Sequence, residues 1–337
     1  MGAGIRVFRS GRDGFVSTND LSAQGLEEAL HQALAMLQLN ASTLASPSSF
    51  DGLGPLRDYG SSKNTWLDST PDLVTITQRL LEGTHCLQKR GQHLDVRRGS
   101  FARDWQEVLV AASDGTFARD IRLHQSSGLS VLAADGEHRS SIARRYGSSD
   151  RPDDLCHWNV DASAQEVCDS AAKMLRADYV DGGQMPVVLA NRFGGVIFHE
   201  ACGHLLETTQ VERGSTPFAD SIGESIAHSA VTAIDEGVSG GAFGSISMDD
   251  EGMEPQRTVL IENGILQCFL SDRAGEMRTG HARTGSGRRQ SHGFAAASRM
   301  RNTYIDAGPH SIDDLISSVD HGLYCKSMGA GSVGATG

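Results

Sequence analysis

The sequence predicts an α+β protein, mostly antiparallel sheets with flanking helices. Three observations carry that expectation. Short apolar runs alternate with Asp-Gly and Asn-Gly pairs, which tolerate the positive φ of tight hairpin turns. Three other segments repeat apolar residues at three- and four-residue steps, the period of a helix with one buried face. Glycine is abundant, 39 of 337 residues, and it is scattered without a period. That excludes a collagen-like chain and favours many turns.

Taken in order, residues 5–19 read as two short strands. Ile5 and Val7 lie before, and Phe15 after, a Gly11-Arg12-Asp13-Gly14 turn. A helix follows, with Leu26, Ala29, Leu30, Ala33, Leu34 and Leu37 on one face and Asn19 and Asp20 as candidate caps. Two strands cover such a helix poorly, so a larger first domain is expected. Residues 41–72 are rich in Ser, Pro, Gly and Asp and read as a linker or functional loop. A second helix is expected over 73–90. Residues 92–146 read as an antiparallel meander with strands at 108–112, around Ile121 and at 129–133. Its turns fall at Asp114-Gly115 and Asp135-Gly136. A third helix is expected over 161–177. Residues 186–190 read as a short buried strand that Gly194-Gly195 breaks, after which a helix opens at Val196, Ile197 and Phe198. Residues 259–261 and 265–266 flank Glu262-Asn263-Gly264, a strong hairpin signal. No fixed-period repeat is visible.

Composition excludes several function classes. Lys plus Arg is 30 and Asp plus Glu is 42, a formal charge of −12. An acidic chain repels a phosphate backbone, so direct nucleic-acid binding is not expected. No apolar run approaches the ~18 residues of a membrane helix, and the N-terminus lacks the basic head and apolar stretch of a signal peptide. The expectation is a soluble cytoplasmic protein with no membrane contact. Its six cysteines are widely spaced, with no CxxC pair, and read as reduced thiols.

The stretch that carries chemistry is Phe198-His199-Glu200-Ala201-Cys202-Gly203-His204. Two imidazoles bracket a carboxylate on an expected helix. In the familiar HExxH pattern the histidines are four apart and return to within ~40° of each other. Here they are five apart, ~140° off, so an ideal helix would splay the rings. An extra residue in one turn, a π-bulge, would realign them, and Gly203 would ease it. His199 and His204 are then candidate metal ligands for zinc. Glu200 is the candidate general base, taking the proton of a water that zinc activates. A catalytic zinc usually takes three protein ligands, so one more must come from elsewhere.

These residues and their context resemble the TldD/PmbA family of metalloproteases, the "modulators of DNA gyrase", and within it the TldD branch. The resemblance runs through GGVIFHEACGHLLE (194–207), DDEG (249–252), LIENGIL (260–266), TGSGRR (284–289), RMRNTYIDAG (299–308) and GLYCKSMGAGSV (322–333). It implies a zinc-dependent peptidase acting on unstructured peptides or small proteins, in a heterodimer with a PmbA-like paralogue. It implies His199 and His204 as zinc ligands and Glu200 as general base. It implies a third ligand, a cysteine, in a C-terminal segment beyond the last block, where Cys325 is not the matching position. The expectation is therefore a chain shortened at both ends. Residues 1–45 would be the remnant of an N-terminal domain and 46–69 a linker or loop. Residues 70–180 would form a middle α+β domain and 184–337 an incomplete C-terminal metallopeptidase domain. The rival readings are a catalytically inactive peptide-binding or regulatory subunit and, from the historical name, a DNA- or gyrase-associated protein.

Several residues have two readings. Cys202 reads as a small packing residue rather than a ligand. Asp249, Asp250 and Glu251 could bind a cation or form a solvated turn shaping the cleft. Arg288, Arg289 and Arg299 could contact a peptide carboxylate or carbonyl, or make surface salt bridges. Glu207, three residues past His204, could hydrogen-bond to the site or lie on a helix surface.

Overall fold

In a computed structural model, residues 1–39, 52–63, 71–91, 93–191, 193–238 and 240–327 are described. Half of the expected linker at 46–69, residues 46–51 and 64–69, lies outside them. The molecule is α+β, and its sheets are mostly antiparallel.

The chain opens with a hairpin, β1 (Ala3–Arg9) and β2 (Arg12–Thr18). Its turn is Ser10-Gly11, both at positive φ (48° and 77°), so Arg12 to Gly14 belong to the second strand. The turn expected at 11–14 is thus displaced, because the tight two-residue geometry falls on the one pair that accepts φ > 0 twice. Helix α1 (Ala23–Met36) packs on this hairpin, burying Ala29, Ala33 and Leu34. Its cap is Ser22, whose hydroxyl accepts from Gly25 N–H; Asp20 instead accepts from Ser22 N–H.

The middle of the chain is a long-stranded sheet. After a short β3 (Arg57–Asp58), helix α2 spans Leu73–Arg90 and is capped by Asp72. Strands β4 (Leu94–Ala111), β5 (Phe117–Asp135) and β6 (His138–Ser149) follow as an antiparallel meander, with β5 central. Alternate residues of β5, including Leu129, Val131 and Ala133, are buried. They face Ile76 and Leu87 of α2, and Val160, Ala164, Val167 and Ala171 of a later helix. A one-turn helix α3 (Asp154–His157) leads into that helix, α4 (Val160–Met174), which starts one residue and ends three residues earlier than expected.

The last section is built from shorter pieces. Strand β7 (Val187–Leu189) precedes helix α5 (Phe193–Ala201). Gly194 and Gly195 lie inside that helix rather than breaking the chain before it. The strand expected as buried is only partly so, with Val187 exposed. A 3-10 turn (Gly203–Leu206) and helix α6 (Thr208–Arg213) follow. Strands β8 (Ala233–Glu236), β9 (Arg257–Glu262), β10 (Ile265–Leu266) and, later in the chain, β13 (Asn302–Ile305) form an antiparallel sheet ordered β10-β9-β8-β13. Asn263 and Gly264, both at positive φ, close the β9–β10 hairpin. Helix α7 (Arg273–Thr279), the pair β11 (Gly287–Arg288) and β12 (Ala297–Ser298), and β13 (Asn302–Ile305) come next. Helix α8 (Ile312–Ser317) leads to β14 (Leu323–Cys325), which runs parallel to β7. Phe198, Leu206, Leu260, Ile261, Phe269, Leu270 and Met300 form this section's apolar core. Among the described residues, no helix is long and apolar enough to cross a membrane.

Buried polar contacts join the sections. Arg122 of β5 donates to Asp250 (2.8 Å) and to the Met248 carbonyl (2.8 Å). Lys63 donates to Asp120, Asp150 and Ser247 at 2.8–2.9 Å. Arg6 of the first hairpin donates to the Ala296 carbonyl (2.7 Å). The middle sheet is thereby held against the section that carries His199 and His204.

Candidate metal centre

Helix α5 lies beside β13 and delivers His199 and Glu200 on its last turn. Val196 and Ile197 on the same helix are exposed, while Phe198 is buried in the core. The apolar run therefore anchors the helix through Phe198 alone.

The five-residue spacing is reconciled without a π-bulge. Cys202 N–H still bonds the Phe198 carbonyl (3.0 Å), closing a normal α-turn. Cys202 then leaves helical geometry (φ −130°, ψ −51°), and the chain resumes as a 3-10 turn. That break brings the His199 and His204 rings to 4.8 Å between centroids, nearly perpendicular at 81°. Gly203 serves a different need from the one expected. A Cβ there would meet Met300 Sδ at 2.3 Å, so glycine is what lets the turn close against Met300.

His199, Glu200 and His204 each offer a ligand atom, and these atoms lie within 4.8 Å of one another. Among the described residues this is the one group of three or more His, Cys, Asp or Glu side chains placed to share an ion. Cys325 sits on β14 outside the group. Cys202 is half-buried against the apolar core, and burial pushes its thiol up, as a packing role requires.

Behind the group stands Glu207, fully buried. Its Oε1 lies 3.2 Å from His204 Nδ1, and its Oε2 accepts from Arg299 Nη1 at 2.8 Å. Met300 N–H also points at Oε1 (3.4 Å). Glu207 is therefore no surface residue. A carboxylate on Nδ1 fixes that nitrogen as the protonated one and leaves Nε2 free as a ligand atom. The Glu207 bond holds His204 above the usual histidine range, whereas burial and the neighbouring His204 hold His199 below it. Glu200 Oε2 is 4.0 Å from His204 Nε2, beyond hydrogen-bond reach. The donor set fits zinc: two imidazoles, one oriented from behind by a carboxylate, with a second carboxylate alongside.

His199 and Glu200 open onto a cleft of about 1080 Å³ between the middle sheet and the last section. Asp104, Gln106, Arg122 and His124 form one wall. Phe243, Arg288, Met300 and Tyr304 are among the residues of the other.

The DDEG acids lie elsewhere than expected. Asp249, Asp250 and Glu251 are all buried, so they form no solvated turn. Asp249 accepts from the N–H groups of Glu251, Met253 and Gly287 (2.9–3.0 Å). Asp250 accepts from Arg289 N–H and from Arg122. Glu251 accepts from Arg273 N–H (2.8 Å) and Arg283 (3.2 Å). Their oxygens are committed to backbone and arginine donors, so they hold the fold together.

Sequence reasoning singled out His199, Glu200 and His204, and the fold brings all three together. It left open Glu207, whose signal was the three-residue step from His204 and nothing more, and Arg299, read as a peptide contact or a surface salt bridge and found paired with the buried Glu207.

Models of the PmbA/TldA metallopeptidase match domain 1 at residues 1–37, the central domain at 70–175 and the C-terminal domain at 182–337. A metalloprotease TldD homolog of Haemophilus influenzae is 31% identical over 345 residues, covering 99% of this chain and 70% of that protein. A zinc metalloprotease TldD homolog of Saccharolobus solfataricus is 34% identical over 166 residues, covering 48% of this chain and 37% of that protein. The crystal structure of TldE from Thermococcus kodakarensis shares the fold, with a TM-score of 0.74 at 21% identity over 98% of this chain and 73% of that one. The chain belongs to the PmbA/TldD family of metallopeptidases.

Proposed function

We propose that this chain is the metal-binding, catalytic subunit of a zinc-dependent peptidase acting on unstructured peptides, paired with a PmbA-like paralogue. The observation that carries the reading is the meeting of His199, Glu200 and His204, the first two lining the cleft, with buried Glu207 behind His204. His199 and His204 would hold the ion. A zinc ion bound there supplies Lewis acidity, lowering the pKa of a water toward ~7 and polarising a carbonyl.

This chain's residues do the rest. Glu207 keeps the His204 proton on Nδ1, so Nε2 stays a ligand atom. Arg299 neutralises Glu207, which is otherwise a buried lone carboxylate. Glu200, partly exposed to the cleft, takes the proton of the attacking water and returns it to the leaving amine. Asp104 and Gln106 of the edge strand β4 line one wall of the cleft, which suits an extended peptide held through its main chain.

The test is zinc per chain by elemental analysis alongside peptide cleavage. Glu200→Gln should lower cleavage ~10²–10⁴-fold while zinc content stays at the level of the unmutated protein. His199→Ala should lose both. Unchanged cleavage in Glu200→Gln, or unchanged zinc in His199→Ala, would sink the reading.

A further inference from the structure

We infer that Arg288 is the anion-binding residue of the cleft, selecting peptides that present a carboxylate. The inference rests on the peptidase reading and adds the chemistry its substrate must carry.

The arginines around the cleft differ in one respect, their partners. Arg122 pairs with Asp250 at 2.8 Å. Arg301 is fully buried against Asp235 at 2.6 Å. Arg299 pairs with Glu207 at 2.8 Å. Arg289 has its Nε 3.9 Å from Asp250 and its N–H on the same carboxylate. Arg288 has no carboxylate within ion-pair distance among the described residues. Its one hydrogen bond among them runs from Nη1 to the Met300 carbonyl, at 3.1 Å. Most of a guanidinium's five donors are therefore uncommitted in a residue that lines the same cleft as His199 and Glu200.

The environment makes that cation costly. Arg288 is half-buried, and burial holds it below the usual arginine range. Arginine stays charged regardless; the charges of Asp250 and Asp235 offset part of the desolvation, and an arriving anion offsets more. His124, on the facing wall, is held below its usual range by burial and by the charges of Arg288 and Arg122. A neutral ring does not compete for the anion. Asp104 lies exposed at the rim and leaves the guanidinium unpaired.

Position ties the residue to the candidate centre. Gly287 and Arg288 form strand β11, paired with Ala297 and Ser298 of β12. The carbonyl that accepts from Arg288 belongs to Met300. The same residue points its N–H at Glu207 and packs its sulfur on Gly203. Arg288 is thus fixed relative to the turn that carries His204. A planar fork so fixed matches a carboxylate in two parallel hydrogen bonds. The carboxylate has two sources, the C-terminus of the peptide or an Asp or Glu side chain within it.

The test measures binding without cleavage. Glu200→Gln chain is titrated, by fluorescence anisotropy, into four labelled short peptides. One pair lacks Asp and Glu and differs only in a free or amidated C-terminus. The other pair is amidated and differs only in a Glu or Gln at a central position. At least one carboxylate member should bind ~10–100-fold tighter than its neutral twin. Adding Arg288→Met should bring that ratio to about one while sparing the neutral peptides, and Arg288→Lys should restore part of it. A ratio in the first pair identifies the C-terminus, and in the second a side chain. Equal binding within both pairs overturns the inference. So does a ratio that survives Arg288→Met, or a proportional loss for all four peptides, which is the mark of a structural role. A chain that discriminates carboxylates but cleaves nothing when unmutated would defeat the peptidase reading alone.

Discussion

The middle sheet and the section bearing the candidate metal centre solve the same problem in opposite ways. The sheet of β4, β5 and β6 relies on long antiparallel ladders and an apolar core in which Leu87, Leu129 and Ala164 are sealed from water. The last section has strands of two to six residues, and its joints are buried charges. Asp249 holds three backbone N–H groups, Asp235 holds Arg301, and Glu207 holds Arg299 and His204. Short strands leave many backbone groups without ladder partners, and carboxylates satisfy them. The lesson is that both regions have an apolar core, but the middle adds long ladders to it, whereas beside the site short strands are supplemented by a few buried charge pairs.

The sharpest way to break that contrast is Asp235→Ala. Asp235 and Arg301 are both fully buried, and Asp235 also accepts from Arg301 N–H and Thr303. Removing one member strands a buried cation, at about 3–5 kcal/mol. Urea denaturation should record that loss. A cost under about 1 kcal/mol would show that the pair is dispensable and that apolar burial carries both regions alike.

A smaller effect is expected from Glu251 and depends on pH. Burial, with Asp272 and Asp249 nearby, pushes its carboxyl up from 4.5 to about 7. The Arg273 N–H at 2.8 Å and Arg283 at 3.2 Å offset part of that. The folded state therefore holds this proton more tightly than the unfolded chain. Its contribution is fully present below about 4.5 and is lost as pH rises through about 7. At 1.36 kcal/mol per unit the loss is on the order of 3 kcal/mol. Glu251→Gln keeps an acceptor for Arg273 N–H and removes the titration. Its stability relative to the unmutated chain should rise across that window, read from denaturation midpoints at several pH values. Parallel curves would place Glu251 outside the group of groups that tune this section.

The same contrast decides what could be read from sequence. Helix α2 occupies 73–90 as expected, because its apolar period, its Asp72 cap and its basic last turn all lie within the segment. The Asn263-Gly264 turn was legible because the φ > 0 it requires is a property of those two residues. His199, Glu200 and His204 were legible as a spacing. The way they meet was not, since the chain leaves the helix at Cys202 and seats Gly203 against Met300, nearly a hundred positions away. The burial of Asp249, Asp250 and Glu251 was hidden for the same reason. Adjacent acids look solvated until distant donors such as Arg122 and Gly287 N–H are placed beside them. The parallel pairing of β14 with β7 carries no local signal at all.

The mildest change tests the distributed side of the comparison. Asn159 caps α4, its side chain accepting from Ala162 N–H at 3.0 Å. The helix it starts is also held by Val160, Ala164, Val167 and Ala171 in the core. Losing the cap frees one N–H at the surface, where water replaces the bond, so Asn159→Ala should cost about 1 kcal/mol, and Asn159→Gly only a few tenths. Zinc content should match the unmutated chain in both variants, because no joint of the last section runs through this cap. A loss near that of Asp235→Ala would mean that α4 hangs on its first turn, and the middle section would then be as brittle as the region around the site.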